Sequence, residues 1–451
     1  MSIFSKLGGN GKVKIFKLAP RVNEVHRVIQ HNSFTSQRWP SIIIRKFFLS
    51  FTVIKELIVT NFKRGLALAL TLTALIFSGC NKQKEESATA AAAPVTNLDE
   101  IVIGAVFPMT GPIATYGQES VNGINLALKS LNETGVKGKK IRIVVQDNKG
   151  EPVESANAVR KLIEVDKVQA IIGSVASSNT LAGAPIAQQS GVPLMTPAST
   201  NETVTQTGDY ISRSCFTDAF QGVVMAKFAY ETLGKKKAVI IIDNSSDYSR
   251  GLASVFRAKF TEMGGQVVSN DNDTTYTQKD TDFRSLLQKV KRADPDVIFL
   301  PGYYTEVGLM IKQARSMGMN MPFLGGDGWD SPKLQELAGE AINGNYISSH
   351  FSSEDSDPRV QQFVSEYEKA YGQKPGAMAA LGYDGILVMA DAIMRANSFS
   401  HADIRDAINS TKNYIGITGN ITIDENRNAK KSAVVLETTV SGMKFKQKVN
   451  P

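Results

Sequence analysis

From about residue 100 onward the sequence predicts an α/β protein: two lobes, each built on a parallel sheet, joined by several short crossings. Three observations predict it. Short apolar runs rich in β-branched residues alternate with stretches of helical period, the pattern of parallel βαβ winding. The runs are continuously apolar rather than alternating, as strands covered on both faces must be. About 350 residues are too many for one doubly wound domain, yet no Pro/Gly/Ser-rich linker divides them into two separate beads.

The predicted strands are 101–107 (IVIGAVF), 141–147, 168–173, 192–196, 238–243, 266–269, 296–302 and 322–326. Helical stretches fall between them over Gln118–Asn132, Pro152–Val165, Asn179–Gln189, Gln221–Leu233, Arg250–Met263, Asp282–Arg292 and Glu306–Met317. In such sheets ligands bind at the carboxyl ends of the strands, so the loops there are the ones to inspect.

Residues 1–79 read as an address rather than a domain. Lys63-Arg64 precede the apolar run Gly65–Phe77, then Ser78-Gly79-Cys80, in the order of a secretory signal. Thirteen residues are too few for a permanent span of a ~30 Å hydrocarbon core. Residues 81–97 are polar and Ala-rich and read, within 80–99, as a flexible tether. Residues 1–60 fit no signal class, and a translation start near Val59 would leave a compact signal peptide.

Charge and chemistry narrow the function. The net charge of +8 is concentrated in residues 1–79, whose 12 basic and two acidic side chains leave the remainder slightly acidic. A nucleic-acid partner is therefore not expected. The two cysteines, Cys80 and Cys215, allow no disulfide framework, and Cys215 reads as a buried structural thiol. The two histidines of the body, His350 and His401, lack metal-ligand spacing and are expected at the surface or at helix caps. No nucleophile elbow, Walker A or dinucleotide fingerprint is present. A non-enzymatic role without metal or cofactor is expected.

Hydroxyls and aromatics instead gather at strand ends. Ser174-Val175-Ala176-Ser177-Ser178 follows one strand and Thr196-Pro197-Ala198-Ser199-Thr200 the next. Free N–H groups at a helix start plus a hydroxyl favour a carboxylate, although each Ser or Thr could equally cap its own helix. The second half offers Asp243–Tyr248, Tyr303-Tyr304 and Gly326-Asp327-Gly328-Trp329. A carboxylate between glycines suits an ammonium group, and tyrosines supply apolar or cation–π walls. A zwitterion, an α-amino acid, would satisfy both halves.

On the segments 103–128, 171–180, 192–205, 241–253, 300–318, 322–334 and 380–393, the chain resembles the branched-chain (Leu/Ile/Val) amino-acid-binding proteins of ABC transporters, of type I periplasmic-binding fold. The resemblance implies a Venus flytrap with three hinge crossings, near Thr217–Asp218, Ser349–His350 and Ile421–Thr422. Lobe 1 is then 100–217 with 350–421, and lobe 2 is 218–349 with 422–451. It also implies that Ser177, Ala198 and Thr200 hold the ligand carboxylate. Asp327 would neutralise the ammonium, and Tyr116, Tyr248 and Tyr303 would line the cleft. The ending Ser78-Gly79-Cys80 resembles a lipobox, which implies acylation of Cys80. A monomer, lipid-anchored outside the cytoplasm and serving permease subunits, is expected. The sequence departs from the family pattern in having Asp327 where Leu/Ile/Val-specific members have Glu, in Trp329, and in lacking the first-lobe disulfide. A binding or sensor protein of the same fold for amides, urea or small aromatic acids is the alternative.

Overall fold

The computed structural model describes residues 100–270 and 273–451. The signal segment, Val59, Cys80 and the tether lie outside the described residues. Five strands build the first sheet: β1 (Glu100–Phe107), β2 (Lys140–Asp147), β3 (Ala170–Gly173), β4 (Leu194–Thr196) and β5 (Ile211–Arg213). Their spatial order is β2-β1-β3-β4-β5, and every pairing is parallel. β1 is buried from Ile101 to Phe107, as its uninterrupted apolar run requires.

The second lobe is also built on a parallel sheet, to which an antiparallel edge is added. The run 238–243 divides into β6 (Lys237–Ile240) and β7 (Ile242–Asp243). After β8 (Gln266–Val267) and β9 (Thr275–Tyr276), β7 pairs with β9 in a separate two-stranded sheet. The main sheet continues with β10 (Val297–Phe299), β11 (Phe323–Gly325) and β12 (Asn345–Ser349). Following a small sheet of β13 (Tyr414–Gly416), β14 (Gly419–Ile423) and β15 (Ala429–Lys430), the chain adds β16 (Ala433–Thr439) and β17 (Gly442–Val449). These last two join antiparallel, giving the order β17-β16-β12-β11-β10-β6-β8. β17 is largely exposed, which an edge strand tolerates and a central parallel strand does not.

Main-chain passages between the sheets follow β5, which is succeeded by the helix Asp218–Lys227, and β12, whose last residue is Ser349. Residues 424–430 still bond to the first lobe, through Arg427 O with Arg213 N and Arg427 Nη2 with Thr205 O. We therefore place the third crossing at Lys431–Ser432, beyond the expected Ile421–Thr422.

Two helices in the first lobe touch at backbone distance. A Cβ on Gly123 would lie 1.9 Å from Ala379 O, and one on Gly382 would lie 2.2 Å from Ser120 O. Only glycine at both sites lets the helix Ala114–Thr134 settle against Ala377–Arg395. The latter is apolar nearly all round because its faces are buried within the lobe.

Candidate functional site

The parallel strands deliver their C-terminal loops to one cleft between the sheets. Tyr116 enters from the first turn of the helix after β1, Ser177 from the helix after β3, and Ala198 and Thr200 from the turn after β4. Opposite them, Tyr248 comes from the helix Asp247–Glu262, Tyr303 from the N-cap of the helix Tyr304–Ser316 that follows β10, and Asp327 from the turn after β11. All seven line one narrow cavity, together with Val175, Gly328 and Met378.

On the first-lobe side the hydroxyls are not helix caps. The helix Ser177–Gln189 has Ala176 at its N-cap with no side-chain bond, and Ser177 Oγ accepts instead from Asn201 N at 3.2 Å. Having accepted, that hydroxyl retains its own proton to donate. Asn179 N and Thr180 N both bond to Ala176 O, while Ser177 N and Ser178 N belong to the first turn, whose amides have no partner within a helix. The short helix Thr203–Gln206 likewise takes no cap from Thr200. Buried Arg213 holds this turn from behind, donating to Ser199 O at 2.7 Å and Asn201 O at 2.6 Å. Cys215 lies beneath it, buried, its thiol pushed up to about 12 by burial.

The second-lobe side presents a carboxylate. Asp327 is buried, and its Oδ1 accepts from Gln221 Nε2 at 3.0 Å. Its Oδ2 lies 3.0 Å from His350 Nε2. Gln221 is oriented in turn by Ser348 Oγ, which donates to its Oε1 at 2.9 Å, and by Asp218, which accepts from its Nε2 at 2.8 Å. Burial, then the charge of Asp327, pushes the Asp218 carboxyl up to about 7. Burial holds His350 below the usual imidazole value. With His350 neutral, Asp327 is bonded to two uncharged donors and lacks a counter-charge within hydrogen-bonding reach.

The walls are aromatic. Tyr248 and Tyr303 stack at 5.4 Å with planes 9° apart, and Tyr116 meets Tyr303 edge-on at 6.0 Å. Burial raises all three phenols, so they stay neutral. The lobes are closed on each other. Tyr116 OH donates to Gly328 O, and Asp247 Oδ2 accepts from Ser178 Oγ at 2.8 Å. Asn201 Nδ2 reaches Asp247 O at 2.8 Å, and Thr305 Oγ1 reaches Pro112 O at 2.8 Å.

His350 corrects the expectation of a surface or capping residue: it is buried and stacked on Phe216 at 3.6 Å. Its isolation in sequence concealed that a strand end delivers it to Asp327. His401 starts a helix, half-buried, with Nε2 at 3.2 Å from Val168 O. Trp329 does not line the cavity; its indole packs on Gly325 and donates to Leu300 O at 2.9 Å. Asp243 also lies elsewhere, accepting from Ser245 and Gln278. Val175, Met378 and Gln221 carry no local sequence signal. Among the described residues, no cluster of three or more His, Cys, Asp or Glu side chains could hold a metal ion.

Two α/β lobes closing on a small polar-and-aromatic cavity define a two-lobed ligand-binding protein. The profile of the periplasmic binding protein family matches residues 100–442, and the chain belongs to that family. It is similar to a leucine-binding protein of Thermotoga maritima, at 42% identity and a TM-score of 0.75 over 78% of this chain and 99% of the other. It is also similar to a branched-chain amino-acid transporter substrate-binding protein of Streptococcus pneumoniae, solved with isoleucine: 34% identity, TM-score 0.73, 78% and 99% coverage. A solute-binding protein of Rhodopseudomonas palustris, solved with 3,4-dihydroxybenzoic acid, matches at 27% identity and a TM-score of 0.70, covering 78% and 98%.

Proposed function

We propose that this protein captures an α-amino acid with a branched-chain or other hydrophobic side chain by lobe closure and delivers it to the permease of an ABC importer. The observation that carries the reading is Asp327, a buried carboxylate on the cavity wall served by two uncharged donors. An ammonium group supplies the missing charge, while the turns holding Ser177, Ala198 and Thr200 face it with donors for a carboxylate. Val175 and Met378 give the side chain an apolar surface. The relatives solved or named with leucine and isoleucine support the same ligand class. Acylation of Cys80 would tether the protein at the extracytoplasmic face, and labelled fatty acid absent from wild type would end that part of the reading.

Asp327→Asn tests the ligand class, because it keeps shape and removes charge. Hydrophobic amino acids should bind roughly 3–5 kcal/mol more weakly, the scale for breaking a buried pair. A 2-oxo acid, which lacks the ammonium, should lose far less. Equal calorimetric affinities of wild type and variant for every amino acid would overturn the assignment. They would favour instead an amide or small aromatic acid, as the tyrosine walls and the dihydroxybenzoate-bound relative allow.

A further inference from the structure

We propose that His350 is a positioning residue for ammonium capture: a neutral imidazole that donates from Nε2 to Asp327 Oδ2 and holds this carboxylate in place without neutralising it. The proposal rests on the amino-acid reading above. Its geometry is that of a clamped ring. The His350 side chain is fully buried, and Phe216 stacks on it at 3.6 Å with planes 18° apart. Nε2 lies 3.0 Å from Asp327 Oδ2, whereas Nδ1 finds no partner.

That asymmetry selects the tautomer. A proton on Nδ1 would be buried without an acceptor, which is costly, so the single ring proton belongs on Nε2. The imidazolium would need both protons and is opposed by burial and by Lys431, with Asp327 alone favouring it. Asp327 is faced in addition by Asp218 and by the phenols of Tyr116, Tyr248 and Tyr303, none of them cationic. Gln221 and His350 thus supply two neutral bonds, and the unmet charge is left for the ligand. His350 also immediately follows the last residue of β12, where the chain leaves the second sheet. The carboxylate is therefore braced from the crossing itself.

The test uses calorimetry with L-leucine and its 2-oxo analogue on wild type, His350→Phe, His350→Gln and Asp327→Asn. ¹⁵N NMR of the wild-type imidazole accompanies it. His350→Phe keeps the stacking surface and loses the donor, and should weaken leucine binding at least tenfold. His350→Gln restores a neutral donor and should return to within about threefold of wild type. The 2-oxo analogue should be indifferent to both. The ¹⁵N shifts should report the neutral Nε2–H tautomer across pH 6–8, with and without leucine. Leucine binding unchanged in His350→Phe while Asp327→Asn abolishes it, or an imidazolium signal at pH 7, would overturn the role of His350 alone. Leucine binding unchanged in Asp327→Asn would overturn the amino-acid reading beneath it. The NMR arm needs no variant, so a misfolded His350→Phe leaves the proposal testable.

Discussion

Replacing Glu119 by Gln should remove much of the pH dependence of folding stability. Glu119 sits on the helix Ala114–Thr134, buried to 4% exposure, and its Oε2 lacks a hydrogen-bond partner. Asp330 from the other lobe approaches the same point. A Cβ on Gly376 would meet Glu119 Oε2 at 2.7 Å and Asp330 Oδ1 at 3.1 Å. Burial, and then the charge of Asp330, pushes Glu119 up to about 8 from its ordinary 4.5. The folded state therefore holds this proton more tightly than the unfolded chain. Its contribution to stability is complete below about pH 4.5 and is lost as pH rises through about 8. Each unit in that window is worth up to ~1.4 kcal/mol, so Glu119 takes away roughly 2–4 kcal/mol between pH 5 and pH 8. Urea unfolding at both pH values, on wild type and Glu119→Gln, measures it. The variant should lose less stability than wild type and be the more stable protein at pH 8. A smaller slope of the same sign should survive in it, because burial also raises Asp218 to about 7 and Asp330 to about 6. Parallel pH profiles for the two proteins would refute the reasoning.

Ser177→Ala and Thr200→Ala should each cost roughly 1.5–3 kcal/mol of amino-acid affinity, the value of a hydrogen bond to a charged group. Ser177→Ala also strands the buried Asn201 N–H, so a stability loss of roughly 1–3 kcal/mol should accompany the loss of affinity; stability lost with affinity intact would leave these hydroxyls a structural role alone. Asp247→Ala breaks the link between the lobes made by Ser178 Oγ. Stopped-flow kinetics should show faster ligand release at a nearly unchanged association rate, and an unchanged release rate would count against closure through this contact.

Most of the βα alternation up to about residue 326 was legible in the sequence, because the strands and helices there show their own local periodicity over five to fifteen residues or so. The sequence also located the seven cavity residues, since strand-end turns advertise themselves by Ser, Thr, Gly and Asp in short runs, and the family resemblance selected among them. What those residues face depends on contacts between segments far apart in the chain. Gln221 meets Asp327 across 106 positions, and Tyr116 meets Gly328 across 212. No local window carries such pairings. His350 looked solitary for the same reason: its partners, Phe216 and Asp327, arrive from a different crossing and a different strand. Trp329 sits two residues from the cavity-facing carboxylate, yet its indole turns away because Gly325 leaves room for it beneath the turn. The antiparallel edge of the second sheet was likewise settled by packing: β17 is half-exposed and has no uninterrupted apolar run, and β16, though buried and apolar over Ala433–Leu436, takes its direction from its pairing with β12. Periodicity is a property of neighbours in sequence, whereas charge compensation in a cleft is a property of neighbours in space, and only folding brings the second kind together.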